Sequence, residues 1–503
     1  MLMGSLRRGS NDAHGACLWH HRSLVQVLIS RVGVTGRQHP QPSVLRASRG
    51  HSIVLDPKPR AELGDSTKAI WALAWPVTLA MLSESLVGLA DMIMVGRLGS
   101  GAVAAVGVGG QILSASMVVM AAVSTGTMAL VARRVGSGAT REAQSIQGQA
   151  VTLSAMISLS VILPVISWAR PLVGLFGIDT EVAGLAVDYT RLAVLAALPG
   201  AILFVVESAQ GAAGDTRTPL WINLGVNLLN VFLNWVLIFG NLGAPALGVK
   251  GSALATVLAF TAGTLVALGL AFSRRLRVSL EPVDLRLRWD SVRRVLDIGY
   301  PAALEQSLMQ LGFILYLVFA ARYGTDAVAA YFIGVRILGL SFLPGFGFAA
   351  AASALVGQNL GAREPGRAAR VGWLSTGMAV ASMSVLGFLI VVFAQPIAEV
   401  FVDDPAVVSN TVWFIYMLGV SHPCMAIDFS LGGALRGAGD TRFPLLVVVV
   451  SFYGVRLALS VLVTFVWQLS LPWLWAALIG DYVVRAALKA WRFRQGRWAL
   501  IEV

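Results

Sequence analysis

Twelve apolar segments dominate this sequence, and each is long enough to cross a lipid bilayer as a helix of about 20 residues. Hydrophobic residues make up 56% of the chain and charged residues only 13%, with a mean hydropathy of +0.75. A soluble protein of 503 residues would need a far more charged surface. The chain is therefore predicted to be an all-α polytopic membrane protein. The segments lie near residues 70–96, 102–132, 142–169, 185–212, 218–240, 249–273, 293–321, 327–357, 368–396, 407–435, 442–468 and 471–493.

The formal net charge of +12 comes mostly from arginines in the short connectors between these segments. Alternate connectors are rich in arginine, whereas the connectors between them hold few basic residues. Because basic residues accumulate on the cytoplasmic side, this pattern predicts a multi-pass cell-membrane protein with both termini in the cytoplasm. The positive charge thus indicates topology, and no nucleic-acid partner is expected.

An internal repeat divides the chain. AAGDTRTPL at residues 212–220 recurs as GAGDTRFPL at 437–445, and the same offset of 225 takes Pro76 to Pro301. Two six-helix bundles of equal orientation are expected, related by an axis along the membrane normal, with the substrate path between them. The predicted bundles are residues 66–273 and 293–494, with a cytoplasmic linker at 274–292 and a cytoplasmic tail at 495–503.

Residues 1–65 differ from everything after them. They are rich in Arg, Ser, Gly and His and contain almost no acidic residues before Asp56. This composition is typical of a disordered tail, and an overextended start codon is equally compatible with it. An organellar transit peptide is the alternative, because such peptides are also rich in Arg and Ser and poor in acids.

The first apolar segment carries two carboxylates, Glu84 and Asp91. Their spacing of seven residues is about two helical turns, so both lie near one face of the helix. A carboxylate at membrane depth is costly unless it is protonated or paired, which makes it a functional candidate. We interpret Asp91 as the ion-coupling group and Glu84 as a weaker helper, and Pro76 as a site where the helix can bend. The repeat has Tyr316 and Met309 at the two acidic positions, so the pair belongs to the first half alone.

Three asparagines lie on one face of the fifth segment, at spacings of three and four: Asn227, Asn230 and Asn234. Such amides can simply hydrogen-bond a neighbouring helix. The alternative is that they line one polar cavity with Asp91 and with Thr256 of the sixth segment.

The second half has its own intramembrane charges, Glu305, Arg336, Asp428 and Arg456. Two acids and two bases predict ion pairs that hold helices together. A further pair is expected within the last segment, between Asp481 and Arg485, because they are four residues apart.

The duplicated GDTRxPL motif is typical of a tight turn between two helices. Its glycine permits a left-handed backbone, its aspartate can cap the next helix, and its proline fits the first helical turn. Glu207 precedes the first of these turns, and it is expected either to pair with Arg217 or to line the cytoplasmic entrance.

Several chemistries are disfavoured. The sequence has neither the G-x-x-x-x-G-K-[ST] motif of nucleotide-driven motors nor the H-E-x-x-H motif of zinc proteases. Its two cysteines, Cys17 and Cys424, are far apart and predict neither a disulfide framework nor a metal cluster. No cofactor is expected, and the one metal ion considered is sodium near Asp91.

Taken together, the motifs resemble the multidrug and toxic compound extrusion family, in particular its DinF-like branch. The resemblance rests on GLADMIMVGRLG, GDTRTPL, LNWVLIFG, SALVGQNLGA and GAGDTRFPL. It implies a twelve-helix, two-lobed, V-shaped antiporter that expels amphipathic or cationic organic compounds in exchange for protons or sodium ions. It also implies that Asp91 is the coupling acid, that Pro76 is the hinge, and that Asn230 and Thr256 belong to the polar site. Asn234 is a departure, since related proteins often hold a second aspartate there.

These observations lead to the hypothesis of a monomeric efflux antiporter for drugs or metabolites. The missing second aspartate favours protons over sodium as the coupling ion. Protonation of Asp91 from outside would repack the first helix around Pro76 and release the substrate.

Other functions stay open at this point. A flippase for lipid-linked saccharides would favour a basic cavity, and an organic-acid exporter would use Arg336 or Arg456. An intramembrane aspartyl protease would need Asp428 and Asp440 at one depth, but twelve residues of helix separate them by about 18 Å. A scaffold or receptor would not need intramembrane acids.

Overall fold

The computed structural model describes residues 60–501, and this part of the chain is almost entirely helical. Twelve of its helices are long and apolar enough to span a membrane, which confirms the predicted all-α polytopic architecture. The proposals for residues 1–65 fall outside the described part, except for residues 60–65. The helices are α1 (Gly64–Gly96), α2 (Ser100–Gly136), α3 (Thr140–Ser167), α4 (Thr180–Ala212), α5 (Arg217–Phe239), α6 (Val249–Phe272), α7 (Trp289–Tyr323), α8 (Thr325–Gly361), α9 (Pro365–Val392), α10 (Pro405–Gly437), α11 (Arg442–Val466) and α12 (Leu471–Gln495).

Helices α1–α6 form one six-helix bundle and α7–α12 form a second. In the first, α5 packs on α6 and α1, while α2, α3 and α4 pack on one another. In the second, α10 is central and packs on α8, α9 and α12. Two large apolar cores lie mainly within one bundle each. Residues of α1 (Ile70, Leu73, Ala74) join the core of the second bundle, and residues of α7 (Val292, Val295, Ile298) join that of the first.

The contacts between the bundles repeat with the offset of 225. Gly136 on α2 lies against the backbone of Gln358 on α8, and Gly361 on α8 lies against the backbone of Arg133 on α2. The offset takes Gly136 to Gly361 and Arg133 to Gln358, so the internal repeat relates the two contacts to each other. A side chain at either glycine would meet backbone atoms, which is why these crossings need glycine.

Both GDTR motifs form the expected tight turns, with left-handed φ values of 85° at Gly214 and 86° at Gly439. Asp215 accepts hydrogen bonds from two backbone N–H groups at the start of α5, at 3.2 and 3.1 Å. In the second copy, Asp440 accepts a hydrogen bond from Nε of Arg492 at 2.8 Å. The second turn is therefore tied to α12.

The linker between the bundles is shorter than predicted, because α7 begins at Trp289 and includes residues 289–292. The linker is held to the first bundle by an ion pair between Arg141 Nη1 and Asp284 Oδ2 at 2.8 Å. The C-terminal residues turn back onto α12, where the buried Trp498 stacks on Phe493 with ring centroids 4.5 Å apart.

Candidate functional site

Four of the polar residues predicted from the sequence meet between α1, α5 and α6. Asn234 on α5 donates a hydrogen bond from Nδ2 to Oδ1 of Asp91 on α1. With its own nitrogen turned toward Asp91, Asn230 donates to both carboxylate oxygens, at 3.1 and 3.2 Å. The other end of that amide is 3.3 Å from the hydroxyl of Thr256 on α6. We call these four residues the Asp91 site.

The Asp91 site holds a carboxylate without a basic partner. Within residues 60–501, neither lysine nor arginine forms an ion pair with Asp91, and the groups around it are amides and a hydroxyl. Asn234 is fully buried, and its Oδ1 has no hydrogen-bond partner. Asp91 itself is half-buried and has no positive charge beside it, and a site of this kind suits reversible binding of a proton or a cation.

Asn227 does not join the Asp91 site, although the sequence placed it on the same face of α5. Its Nδ2 donates to Oγ of Ser83 on α1 at 2.8 Å. Ser83 precedes Asp91 by eight residues, or about 12 Å of helix, so the two amide contacts lie at different depths of the α1–α5 interface. Glu84 is also separate: its side chain is exposed and forms no hydrogen bond with Asp91.

A groove of about 510 Å³ follows the α1–α5 interface beside these contacts. Ser83 and Asn227 contribute its polar groups. The rest of the wall is apolar and includes the aromatic rings of Phe232 and Trp235. The accessible wall of the groove is thus almost wholly apolar, because Ser83 and Asn227 are hydrogen-bonded to each other.

Pro76 lies inside α1, as predicted. Because proline has no N–H, one backbone carbonyl of α1 loses its helical hydrogen bond, and a side chain of another helix connection lies close to that carbonyl. A proline removes the bond to the carbonyl four residues earlier. That carbonyl belongs to Ala72, and Oγ1 of Thr216 in the first GDTR turn lies 3.5 Å from it. The proline position of α1 is therefore connected to the turn between α4 and α5.

Glu207 on α4 does not form the ion pair with Arg217 that was one of the two alternatives from the sequence. Its Oε1 accepts a hydrogen bond from Nδ2 of Asn223 on α5 at 2.8 Å. Asn223 was not singled out in the sequence, although it continues the asparagine series of α5 one turn earlier, and that spacing was the available signal.

The intramembrane charges of the second bundle form ion pairs, but the prediction that they pair with one another is wrong. Glu305 on α7 pairs with Arg436 on α10, with Oε2 and Nη1 3.3 Å apart. Asp428 on α10 pairs with Lys489 on α12, with Oδ1 and Nζ 2.5 Å apart. Arg336 on α8 is exposed and has no ion-pair partner among the described residues.

Arg456 on α11 lies beside the predicted pair of α12. Arg485 donates to Asp481 through Nε at 2.7 Å and Nη2 at 3.1 Å, as the four-residue spacing indicated. Arg456 approaches the same carboxylate less closely, with Nη1 and Oδ2 3.7 Å apart. The sequence missed the roles of Arg436 and Lys489 because both looked like connector charges.

The family model MatE matches the chain twice, over residues 76–236 and 301–462. The chain belongs to the MatE family. The two matches begin 225 residues apart, at the prolines of α1 and α7, as the internal repeat requires. A MatE protein is a transporter embedded in the bilayer, so this chain is a multi-pass membrane protein of a transporter family.

Curated relatives of this MatE chain match along most of their length. A probable multidrug resistance protein NorM from Thermotoga maritima is 29% identical over 456 residues, which cover 89% of this chain and 96% of the relative. An uncharacterized transporter, YisQ, from Bacillus subtilis is 26% identical over 435 residues, which cover 86% of this chain and 95% of the relative.

Solved structures share the fold. The Vibrio cholerae MATE transporter VcmN in the bent form has a TM-score of 0.80 and 22% identity, covering 88% of this chain and 98% of that one. A MOP superfamily transporter from Pyrococcus furiosus has a TM-score of 0.81 and 21% identity, covering 89% of this chain and all of that one. The arrangement of two six-helix bundles is therefore common to these MatE-type proteins.

Proposed function

We propose that this MatE protein is a secondary antiporter that exports amphipathic or cationic organic compounds, drugs or metabolites, in exchange for protons. The observation that carries this proposal is the Asp91 site, a membrane-embedded carboxylate that only neutral groups contact. The names of the multidrug relatives support the substrate class.

The chemistry follows from the charge of Asp91. When the carboxylate is ionised, the amides of Asn230 and Asn234 donate to it and a cation is attracted to the same place. When the carboxylate takes up a proton, the negative charge is lost and so is the attraction for the cation. One acid can therefore bind a proton or a cationic substrate in alternation, which is the requirement for exchange.

The groove between α1 and α5 suits the apolar part of such a substrate. Phe232 and Trp235 offer aromatic faces, to which organic cations are attracted by about 0.5–2 kcal/mol per contact. Asn227 and Ser83 can exchange their mutual hydrogen bond for bonds to a polar group of the substrate. An amphipathic cation would thus bind with its apolar part in the groove and its charge toward Asp91.

Protons are the coupling ion that the residues favour. A sodium ion takes several oxygen ligands and a compensating charge, and the Asp91 site offers one carboxylate because position 234 is an asparagine. A proton on Asp91 neutralises the carboxylate without any further charged ligand. Sodium remains the alternative ion, with Glu84 as a helper two turns away.

We further propose that Pro76 is the hinge of α1. Loss of charge at Asp91 changes its bonds to α5, and the proline leaves α1 without one internal hydrogen bond at the place where it would bend. The contact between Thr216 and the Ala72 carbonyl couples that bend to the α4–α5 turn.

The DinF-like branch, the monomeric state and the orientation belong to the same proposal. The arginine-rich connectors and the linker face the cytoplasm, so both termini do as well. In this orientation Asp91, five residues from the end of α1, lies toward the outer side, where protons enter.

The structure gives little support to a protease or a flippase. Asp428 and Asp440 pair with separate cations, Lys489 and Arg492, and Asp440 is in a turn at a helix end. A saccharide-phosphate flippase would need a basic cavity in the first bundle, whereas the Asp91 site is acidic.

A flux assay in proteoliposomes tests the proposal. The purified protein is reconstituted, and export of several cationic dyes is measured under an imposed proton gradient, under an imposed sodium gradient, and without a gradient. Proton-driven export of more than one dye is expected. Export that follows the sodium gradient alone would identify sodium as the coupling ion. The absence of flux for every dye would contradict the proposal that the protein exports organic cations.

A further inference from the structure

Five charged side chains are buried together in the second bundle, and their charges do not cancel. Asp428, Asp481, Arg456, Arg485 and Lys489 are each at most 6% exposed. Lys489 and Asp428 form one close pair, and Arg485 and Asp481 form another. Arg456 is left as a third cation opposite two carboxylates, so the cluster carries an excess of one positive charge.

The surroundings of Arg456 confirm that it is the surplus cation. It is 1% exposed, and its Nε and Nη1 have no hydrogen-bond partner. Its guanidinium lies 4.0 Å from the ring centroid of Tyr316 and 4.9 Å from that of Phe452. Aromatic faces attract a cation but accept no strong hydrogen bond, so two donors of Arg456 stay unsatisfied.

A third unsatisfied donor lies beside Tyr316. The indole of Trp475 on α12 packs 6.1 Å from the Tyr316 ring, and its buried N–H has no partner either. The Tyr316 hydroxyl itself is engaged, because it donates to the carbonyl of Leu474 at 2.6 Å. Donors without acceptors thus gather around one ring at a position that already has surplus positive charge.

The internal repeat relates this cluster to the Asp91 site. The offset of 225 takes Asp91 to Tyr316, which contacts Arg456, and takes Thr256 to Asp481. It also takes Glu84 to Met309, whose sulfur lies 3.1 Å from Nη1 of Arg485. The two bundles therefore have polar sites at equivalent places, with a surplus of negative charge in the first and of positive charge in the second.

We propose that the second bundle binds a small monovalent anion, a halide or a carboxylate, at the guanidinium of Arg456 beside Tyr316 and Trp475. The anion accepts hydrogen bonds from Nε and Nη1 of Arg456 and neutralises the cluster, because an uncompensated charge at membrane depth is costly. Arg456 lies in the π-helical turns Val449–Leu457 of α11, and such turns occur often at functional sites. Arg336, the other sequence candidate for an anion partner, is exposed and lacks these donors around it.

Anion-dependent stability of the full-length protein tests this site. The purified protein is heated in detergent at constant sodium concentration and ionic strength, while gluconate is replaced stepwise by chloride, bromide, acetate or benzoate. An anion that binds the folded state raises the unfolding temperature in a saturable way. Direct binding of radiolabelled chloride and acetate to the same protein gives the affinity.

The variants separate Arg456 from general salt effects. Arg456→Leu leaves two acids opposite two bases, so the protein is expected to fold and to lose the anion response. Arg336→Leu removes an exposed intramembrane arginine and is the matched control, with the wild-type response expected. Trp475→Phe keeps an aromatic ring without the N–H, and anion affinity is expected to fall about threefold to tenfold, the effect of one hydrogen bond.

The outcomes are distinct from those of the proposed export function. Asp91→Asn is expected to keep the full anion response, because Asp91 is in the other bundle. A stronger effect of acetate and benzoate than of halides would identify a carboxylate site, and the reverse order a halide site. The proposal is overturned if the wild-type protein shows no saturable anion response, or if Arg456→Leu and Trp475→Phe respond as the wild type does.

Discussion

Replacing Asn234 with leucine removes the amide that holds Asp91. Asn234 donates to the Asp91 carboxylate, and a hydrogen bond to a charged group contributes about 1.5–3 kcal/mol. Without it the ionised carboxylate is less stable and takes up a proton more readily, so where the proton competes for the site a cation should bind about 10- to 100-fold more weakly. Leucine is the residue of the repeat at the matching position, Leu459, so a similar side chain is already accommodated at that depth.

Fluorescence polarisation of a cationic dye with the purified protein measures this loss of affinity. Asn223→Leu is the matched control, because Asn223 is on the same helix but donates to Glu207, outside both the groove and the Asp91 site, and its effect should stay within about threefold, less than one net hydrogen bond. Equal dye affinities for Asn234→Leu and the wild type would refute the view that the amide supports a charged Asp91. Equal losses in both variants would point to a general effect on α5.

Three further predictions concern the fold and its orientation. Arg485→Leu removes both short hydrogen bonds to the buried Asp481 and should lower the free energy of unfolding by about 3–5 kcal/mol. Dodecyl sulfate titration in mixed micelles measures this loss, and a loss below about 1 kcal/mol would contradict the buried pair. Gly136→Ala presses a methyl group against the backbone of α8 and should lower the free energy of unfolding by about 1–3 kcal/mol in the same titration. Gly110→Ala is the control, because a methyl group there has open space and should not destabilise the protein. Similar results for both variants would argue against the close crossing of α2 and α8. In a variant without the native cysteines, an impermeant maleimide should label Asp403→Cys in intact cells but not Arg286→Cys in the linker, and the opposite pattern would invert the topology.

The Asp91 site could be predicted from the sequence because helical periodicity is regular within a bilayer. Asn230 and Asn234 are four residues apart, which places them on one face of α5, and an apolar span leaves few other partners for a membrane acid. Periodicity does not give the lateral contacts between helices. The spacing places Asn227 on the same face, yet the residue of α1 that it contacts is Ser83 and not Asp91.

The second bundle was harder to predict for the same reason. Which acid meets which base depends on how α7, α10, α11 and α12 pack, and the sequence carries no local signal for that. Lys489 and Arg436 are close to helix ends, where the sequence alone does not distinguish a buried partner from a connector charge. Lys489 is 2% exposed and neutralises Asp428, so a lysine near a helix end can be a buried partner as well as a topology signal.

Transport by Asp91→Asn in proteoliposomes tests the central claim most directly. The variant keeps the size of the side chain, exchanges one acceptor oxygen for an N–H donor, and can no longer carry a charge that a proton removes. The account predicts that dye export loses its dependence on the imposed proton gradient and falls to the level of passive exchange. Undiminished proton-driven export by Asp91→Asn would contradict the account.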